Sequence, residues 1–197
     1  MEIIRNIQDK KRALDIMERA FCYSPGMHWM LPVKNQKKLR AFLSFFLQAA
    51  MVNRGGWITG NRHGIVLFYR LQNQRVSLPL ILKKLRILLF VIGIRNGLKA
   101  AKYKSMVDKI RPSAGWLGWL VATDQDVVGN AAAYEIKQEM FRLADETNEP
   151  IFVETTVFRV KRLNERSGYY VYNTMAHPYE DLTVWFMRRD PHTRELD

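Results

Sequence analysis

Residues 116–133 read WLGWLVATDQDVVGNAAA, and this stretch decides the fold more than any other. We predict an apolar strand over residues 116–121, a polar turn over residues 122–126 and, through Gly129, a helix that ends near Thr147. The first N–H groups of a helix have no partner within it, and the helix dipole favours negative charge there. Because glycine and alanine let a ligand approach the backbone closely, the stretch indicates a site for a phosphate-bearing ligand. Many ordinary strand–helix junctions look similar, so a purely structural interpretation stays open.

The composition is that of one globular domain. The chain has 197 residues, of which 48% are hydrophobic and 12% aromatic, enough for a sizeable core. Its single cysteine, Cys22, excludes an intrachain disulfide, and the scattered histidines make no zinc pattern, so no metal site is expected. The N-terminus has no apolar core of a signal peptide, and a cytoplasmic protein is therefore the expectation.

The chain is strongly basic, with 31 Lys and Arg against 19 Asp and Glu and a net charge of +12. Such a balance attracts nucleic acid, anionic membranes or phosphorylated cofactors, although a solvated basic surface explains it equally. Most of the excess lies in residues 34–112. No basic run is interleaved with aromatic residues as in a nucleic-acid groove, so we do not expect a nucleic-acid partner.

The remaining elements follow from periodicity and from glycine, proline and polar turns. In the first half we predict a strand at 2–7, a helix at 10–21 capped by Asp9, a loop at 27–33, a helix at 36–53 and hairpin strands at 57–59 and 65–71. In the second half we predict a strand at 151–157, a helix at 159–166 and strands at 169–175 and 182–188. Without an internal repeat or a long linker, residues 1–197 are predicted to form a single domain.

Residues 77–112 form a basic, apolar helical segment that Gly93 and Gly97 are predicted to divide into two helices. Its longest uncharged apolar run, residues 87–94, is far shorter than the roughly 20 residues that span a bilayer. A basic amphipathic helix can lie on an anionic membrane. More often its apolar face packs into the core, and we expect that packing and therefore no membrane partner.

The order of elements resembles the GNAT N-acetyltransferase superfamily over nearly the whole chain. Val121 and the run Gly129-Asn130-Ala131 reproduce the spacing between the strand-ending valine and the final G-x-G/A of that family's pyrophosphate loop. Residues 165–169, ERSGY, resemble the family's E-x-x-G-F, and residues 183–188, TVWFMR, are similar to its closing aromatic-Met-Arg strand.

The resemblance implies an α/β fold of the α+β type. Its mixed, largely antiparallel sheet is flanked by helices and splays between strands four and five, with residues 77–112 as an insertion. It implies that acetyl-CoA lies in the gap, where the backbone of Leu120 and Val121 pairs with the pantetheine arm. The pyrophosphate would be held by the N–H groups of Val127, Val128, Gly129, Asn130 and Ala131.

The implied reaction is transfer of an acetyl group to an unidentified small-molecule or peptide amine, which attacks the thioester directly. A backbone N–H near Val121 would polarise the thioester carbonyl. The insertion would either narrow the acceptor cleft or provide the face of a homodimer.

Several residues depart from the family pattern. Asp126 and Val127 stand where the family usually has Arg or Gln and Gly, and a carboxylate there weakens pyrophosphate binding unless it caps the helix. Asn164 replaces the tyrosine that often protonates the thiolate, and Val160 replaces an asparagine. Asn164 can hydrogen-bond the cofactor but cannot donate a proton at neutral pH. Two alternatives remain: a catalytically inactive CoA-binding or regulatory module, and a peripheral membrane or polyanion-binding protein.

No catalytic residue is assigned from the sequence. Glu154, on a predicted strand of the splay region, is either a base or a solvent-facing carboxylate. Trp29 and Met30 either line the acceptor pocket or plug the core.

Three further residues receive structural interpretations. Cys22 is favoured as a buried structural thiol over a nucleophile. Tyr69 and Tyr134 are expected to be packing residues.

Overall fold

The computed structural model describes residues 1–22, 24–31, 35–124 and 131–192. Within these ranges, seven strands form one sheet in the order β1-β2-β3-β4-β5-β7-β6. The strands are β1 Glu2–Ile3, β2 Gly56–Ile58, β3 Gly64–Arg70, β4 Trp116–Thr123, β5 Ile151–Thr155, β6 Tyr170–Ala176 and β7 Thr183–Arg189. All neighbouring pairs are antiparallel except β4 and β5, which run parallel. The predicted fold class is confirmed.

Helices cover both faces of the sheet. They are α1 Ile7–Phe21, α2 Pro25–His28, α3 Gln36–Val52, α4 Leu78–Arg86, α5 Ile94–Ile110, α6 Ala131–Thr147 and α7 Phe158–Arg166. Successive strand residues point to opposite faces, so Leu67 packs in the core beneath α1 and α3 while Phe68 packs in the core beneath α6. Each such fully buried side chain stabilises the fold by about 1.5–3 kcal/mol.

The start of α1 differs from the prediction. Asn6 caps the helix, because its side-chain oxygen accepts a hydrogen bond from the N–H of Asp9 at 2.7 Å. The prediction that Asp9 is the cap is therefore wrong, and its carboxylate instead pairs with Arg62 Nε at 3.0 Å. The early cap also limits β1 to Glu2–Ile3.

The hairpin predicted with strands at 57–59 and 65–71 is confirmed as β2 and β3, with Trp57 opposite Val66. Two boundaries elsewhere were wrong. Ala122 and Thr123 belong to β4 and not to a turn, because they continue the ladder opposite Ile65 and Gly64. The loop predicted at 27–33 begins inside the short helix α2, which has Pro25 at its first position.

The inserted segment consists of α4, a turn of π-helix at Ile87–Val91, and α5. Gly93 divides it as predicted, since its φ of 79° is unfavourable for other residues. Gly97 does not break the helix. It lies inside α5, where a Cβ atom would come within 2.8 Å of Leu88 Cδ2.

The expected core packing of this segment is largely wrong. Leu80, Ile87 and Ile92 are buried, but most of its large apolar side chains face solvent. No helix among the described residues is both long enough and apolar enough to cross a membrane.

Candidate active site

A gap opens between the two central parallel strands. The pairing of β4 with β5 runs from Trp116 opposite Ile151 to Gly118 opposite Val153 and ends there. Leu120 and Val121 lie beyond this point, on the part of β4 that pairs only with β3 in the described sheet. The side chain of Val121 is 45% exposed. The sheet thus splays where the resemblance placed the pantetheine arm.

A β-bulge in β4 accompanies the splay. Leu67 of β3 pairs with Leu120 and Phe68 pairs with Gly118, so Trp119 is an extra residue in β4. A bulge bends its strand and increases the local twist. The ring of Trp119 packs edge-on against Phe46 of α3, with ring centroids 4.5 Å apart. The bend therefore occurs at the residue where β4 and β5 separate.

Gly118 allows the closest approach of β4 and β5. A Cβ atom there would lie 2.9 Å from Val153 Cγ1 and 3.1 Å from Met140 Cε. The close approach at Gly118 was not predicted from the sequence, although a glycine inside a strand often marks a bulge or a close approach. That signal was present in the run Trp116–Thr123.

The predicted pyrophosphate loop lies mostly outside the described residues. Val127, Val128, Gly129 and Asn130 fall within residues 125–130, as does Asp126. Ala131 is the first residue of α6. The roles assigned to these five backbone N–H groups stay predictions.

A buried carboxylate anchors the end of β4. Arg12 of α1 donates to Asp124 Oδ2 at 2.5 Å, and Arg19 donates to Oδ1 at 3.2 Å. The N–H of Asp124 also donates to the carbonyl of His63 at 2.7 Å. Charge-assisted bonds of this kind are stronger than neutral ones. They fix the end of β4 to α1 and to the hairpin, immediately before the predicted loop. These contacts of Asp124 were not predicted from the sequence.

Glu154 on β5 is held in an ion pair. Arg111, which follows α5, donates from Nε and approaches with Nη2, both at 2.7 Å from Glu154 Oε1. The side chains are only 15% and 20% exposed. Burial is the largest single influence and lowers the pKa of the Arg111 guanidinium, but the hydrogen bond to Glu154 and the nearby charges, that of Glu154 first, together outweigh burial and raise this pKa. The carboxylate of Glu154 therefore does not face solvent, and it is already bound in an ion pair with Arg111.

Three tyrosines lie in the field of this ion pair. The pKa values of Tyr69, Tyr103 and Tyr172 are raised to about 12. Burial is the main cause of this rise, and the positive charge of Arg111 opposes part of it. All three phenols are accordingly neutral and protonated at neutral pH.

The two tyrosines expected to be packing residues differ. Tyr69 belongs to the core, as predicted. Tyr134 does not, because it is 61% exposed on α6, and its packing prediction is wrong.

An aromatic cluster lies at the same end of the sheet as the gap. Trp29, only 9% exposed, stacks on Tyr179 at 5.4 Å and meets Tyr103 and His177 edge-on. His177 and Tyr179 lie in the connection from β6 to β7. Because β7 runs antiparallel to β5, this connection lies near the C-terminal end of β5. The ring of Trp29 thus packs between α5 and the β6–β7 connection.

His177 has an unsatisfied ring nitrogen. Its Nδ1 accepts the N–H of Tyr179 at 3.3 Å, while Nε2 is buried and has no partner among the described residues. Burial lowers the pKa of His177, so the imidazole is neutral near neutral pH. With Nδ1 accepting, the proton lies on Nε2, which can then donate to a polar group that enters the cluster.

Asn164, Met30 and Cys22 have structural contacts. The amide of Asn164 approaches Met187 Sδ at 3.7 Å, which turns it towards β7, and its cofactor role stays a prediction. The carbonyl of Met30 accepts a hydrogen bond from Asn96 of α5 at 3.2 Å. Cys22 is half-buried at the end of α1, where its thiol lies 3.1 Å from the carbonyl of Arg19.

The segment that follows β5 exposes apolar side chains. Val157 and the α7 residues Phe158, Val160 and Leu163 are exposed, and no side chain of α7 is fully buried. In the part of the chain that the structure describes, no group of three His, Cys, Asp or Glu residues is placed to hold a metal ion.

Comparisons with known proteins define the fold. The chain matches no family profile and no curated protein sequence. It is similar to the solved structure of histone acetyltransferase HPA2 and related acetyltransferase from Corynebacterium glutamicum, with a TM-score of 0.63 and 16% identity over 98% of this chain and 96% of that one. It is also similar to arylalkylamine N-acetyltransferase 2 from Aedes aegypti, with a TM-score of 0.65 and 10% identity over 96% and 97% of the two chains.

A third similar structure is the polyamine N-acetyltransferase of Drosophila melanogaster, with a TM-score of 0.60 and 11% identity over 94% of this chain and 97% of that one. These identities are low, so the likeness concerns the fold. The protein has the GNAT N-acetyltransferase fold, in a sequence that has diverged widely from these structures.

Proposed function

We propose that the protein is an acetyl-CoA-dependent N-acyltransferase that acts on a small-molecule or peptide amine. The observation that carries this proposal is the gap beyond Gly118 and Val153, where the edge of β4 at Leu120 and Val121 has no strand partner on that side among the described residues. An exposed strand edge accepts an extended ligand as it accepts another strand. The amide groups of a pantetheine arm fit such an edge.

The flanking residues support the same ligand. Val121, Val157 and Phe158 offer exposed apolar surface to the arm. The backbone N–H groups of Val127, Val128, Gly129 and Asn130, together with that of Ala131 at the start of α6, would hold the pyrophosphate. Asn164 would supply a side-chain hydrogen bond if its amide turned from Met187 towards the ligand. Acetyl-CoA would supply the activated acyl group as a thioester.

The acceptor would approach from the side of the aromatic cluster. Trp29, Tyr103 and Tyr179 provide ring faces and edges, and a neutral His177 provides a hydrogen-bonding nitrogen. The similar structures include arylalkylamine and polyamine N-acetyltransferases, which supports an amine as acceptor. α5 contributes Tyr103 and packs Val107 on Val184 and Phe186. This packing favours a cleft wall over a dimer face.

In the proposed reaction the amine attacks the thioester carbonyl, the new C–N bond forms and the C–S bond breaks. A backbone N–H near Val121 would stabilise the developing oxyanion. The amine would lose its proton to water, because Glu154 is committed to Arg111. A thiol is a stronger acid than a phenol whose pKa is about 12, such as Tyr172, so the thiolate would leave as such or take a proton from water.

One specific observation favours a second candidate, a CoA-binding module without catalysis. The amide of Asn164 occupies the place of the family's usual acid and lies against Met187. That protein would bind CoA but would release no thiol in the presence of amines.

Thermal melting with acetyl-CoA tests the proposal. A ligand that binds only the folded chain, present at about one hundred times its Kd, adds about 2.7 kcal/mol to the free energy of unfolding. For a domain of this size the Tm should rise by roughly 5–10 °C. The absence of a shift, together with no heat of binding in calorimetry, would reject both candidates. Thiol release with arylalkylamines, polyamines and peptide amines then separates the enzyme from the module.

The variant Val121→Glu should abolish the shift, since it places a carboxylate in the gap. The matched control is Ile7→Glu, at a side chain that is 82% exposed on α1. It adds the same charge and should preserve the shift.

A further inference from the structure

The inserted segment and the residues just before it expose several large apolar side chains, which we together call the outer apolar face. Each member lies between residues 76 and 98 and is between 45% and 74% exposed. The members are Val76, Leu78, Ile81, Leu82, Leu85, Leu89, Phe90, Ile94 and Leu98. Monomeric proteins rarely expose so many neighbouring large apolar side chains without a partner.

The outward orientation is fixed by packing. Leu78, Ile81, Leu82 and Leu85 are spaced three and four residues apart in α4, so they share one face of the helix. On the opposite face Leu80 is buried, and Lys83 Nζ donates to the carbonyl of Ser44 in α3 at 3.0 Å. α4 is therefore docked on α3 through its inner face, and its apolar stripe points away from the protein.

The charged residues between residues 76 and 98, the stretch that carries this face, are all positive. From residue 19 to residue 107 the sequence contains no Asp or Glu. Lys84 and Arg86 are exposed beside the apolar stripe, and Arg75 and Arg95 are exposed near its two ends. A partner must therefore be apolar in its interior and anionic at its surface.

A second copy of the chain does not meet this requirement. Two outer apolar faces brought together would place lysines and arginines opposite each other with no carboxylate to neutralise them. A nucleic acid would satisfy the charge but would leave the leucine and isoleucine side chains in water.

We propose that the outer apolar face docks the protein on an anionic lipid bilayer. Its apolar side chains enter the boundary between headgroups and acyl chains, and the flanking lysines and arginines bind the headgroups. The helix lies in the plane of the surface and does not span the bilayer, in keeping with the length of its apolar run. This inference does not rest on the proposed acetyl transfer.

Sedimentation of the full chain with vesicles tests the proposal. We use phosphatidylcholine vesicles with and without about one third phosphatidylserine, at physiological salt, where charge attraction is partly screened. The expected result is binding to the anionic vesicles and little binding to the neutral ones. If the protein stays in the supernatant with the anionic vesicles, the proposal is overturned.

Two pairs of substitutions locate the binding surface. Leu82→Gln with Leu85→Gln removes apolar area, and Lys84→Glu with Arg86→Glu reverses two charges. Each pair should lower the partition coefficient at least about tenfold. All four side chains are exposed or face solvent, so the Tm of each variant serves as a check that the fold is retained.

Matched controls lie outside the segment. Ile7→Gln changes an exposed apolar residue, and Arg5→Glu with Lys11→Glu makes the same charge change on an exposed surface. Both controls should bind nearly as the original protein does. Equal losses in controls and test variants would contradict the assignment of this face.

Two other outcomes reassign the face. A dimer in light scattering that Leu82→Gln with Leu85→Gln dissociates would show that a second copy covers it. Binding to duplex DNA that persists in the same variant would show a general polyanion site. Either result without vesicle binding overturns the proposal.

Discussion

Arg111 donates to Glu154 at 2.7 Å and so joins the end of the inserted segment to the central strand β5. Both side chains are largely buried, and two charges that are buried together stabilise a protein only while both are present. The pair therefore ties the position of α5 to the wall of the gap.

Glu154→Ala should lower the free energy of unfolding by about 2–4 kcal/mol, because it leaves the guanidinium of Arg111 buried without its partner. The double variant Glu154→Met with Arg111→Met should recover most of this loss. Urea denaturation of Glu154→Met, of Arg111→Met and of the double variant measures the coupling. A double variant less stable than either single variant would show that the pair does not act as a unit.

Gly118→Ala should destabilise the fold by about 1–3 kcal/mol. The added methyl group meets Val153 and Met140 at the point where β4 and β5 still pair. Gly60→Ala is the control, since its Cβ atom would find its nearest neighbour at 3.8 Å. Equal midpoints of urea denaturation for the two variants would argue against a close approach at Gly118.

Asp124→Asn should lower the free energy of unfolding by about 1–3 kcal/mol and weaken acetyl-CoA binding. The change removes the charge that Arg12 and Arg19 both bind, at the strand end before the predicted loop. Asp190→Asn, at an exposed carboxylate that bonds Tyr170 and Arg188, should cost less than about 0.5 kcal/mol. Calorimetry with acetyl-CoA and thermal melting provide the two measurements. Unchanged affinity in Asp124→Asn would separate the anchor from the cofactor site.

The stability of the protein should fall from about pH 7 to about pH 5, in part through His177. Burial lowers the pKa of His177 in the folded chain, so the unfolded chain binds the proton first. Acid therefore favours unfolding, and this contribution is lost as the pH falls below the unfolded value of 6.5. The lowered carboxylate pKa values of Glu139, Asp145 and Glu165 act only at lower pH.

His177→Phe should flatten this dependence, because it keeps an aromatic ring and removes the titrating group. Melting temperatures at the two pH values provide the measurement. His192→Phe, at an exposed side chain, should keep the original dependence. If His177→Phe were as acid-sensitive as the original protein, burial of the imidazole would not be the cause.

The sequence was most informative where a local pattern alone determines structure. The hairpin around residues 60–63 and the break at Gly93 follow from turn residues and backbone freedom. The splay between β4 and β5 was expected from resemblance and not from any single residue. The bulge at Trp119 was missed, because its register depends on how β3 and β4 pair.

The side-chain contacts of the site were not predictable in the same way. Arg111 and Glu154 are far apart in sequence, and so are Arg12 and Asp124, and nothing local links either pair. The apolar residues on the outward face of α4 recur at the same spacing as those of a buried helix, so the spacing alone does not show whether this face is buried. Only the packing of its other side on α3 decides which face is hidden.

The extra residue at Trp119 also limits which sequence changes β4 can tolerate. Deleting Trp119 would restore a regular ladder between β3 and β4 with the later residue pairs unchanged, but it would remove the bend at which β4 separates from β5. The opening is thus encoded by the number of residues in a strand more than by their chemical identity. A feature that depends on the number of residues in a strand tolerates substitutions better than it tolerates an insertion or a deletion. This is consistent with one fold shared at 10% to 16% identity.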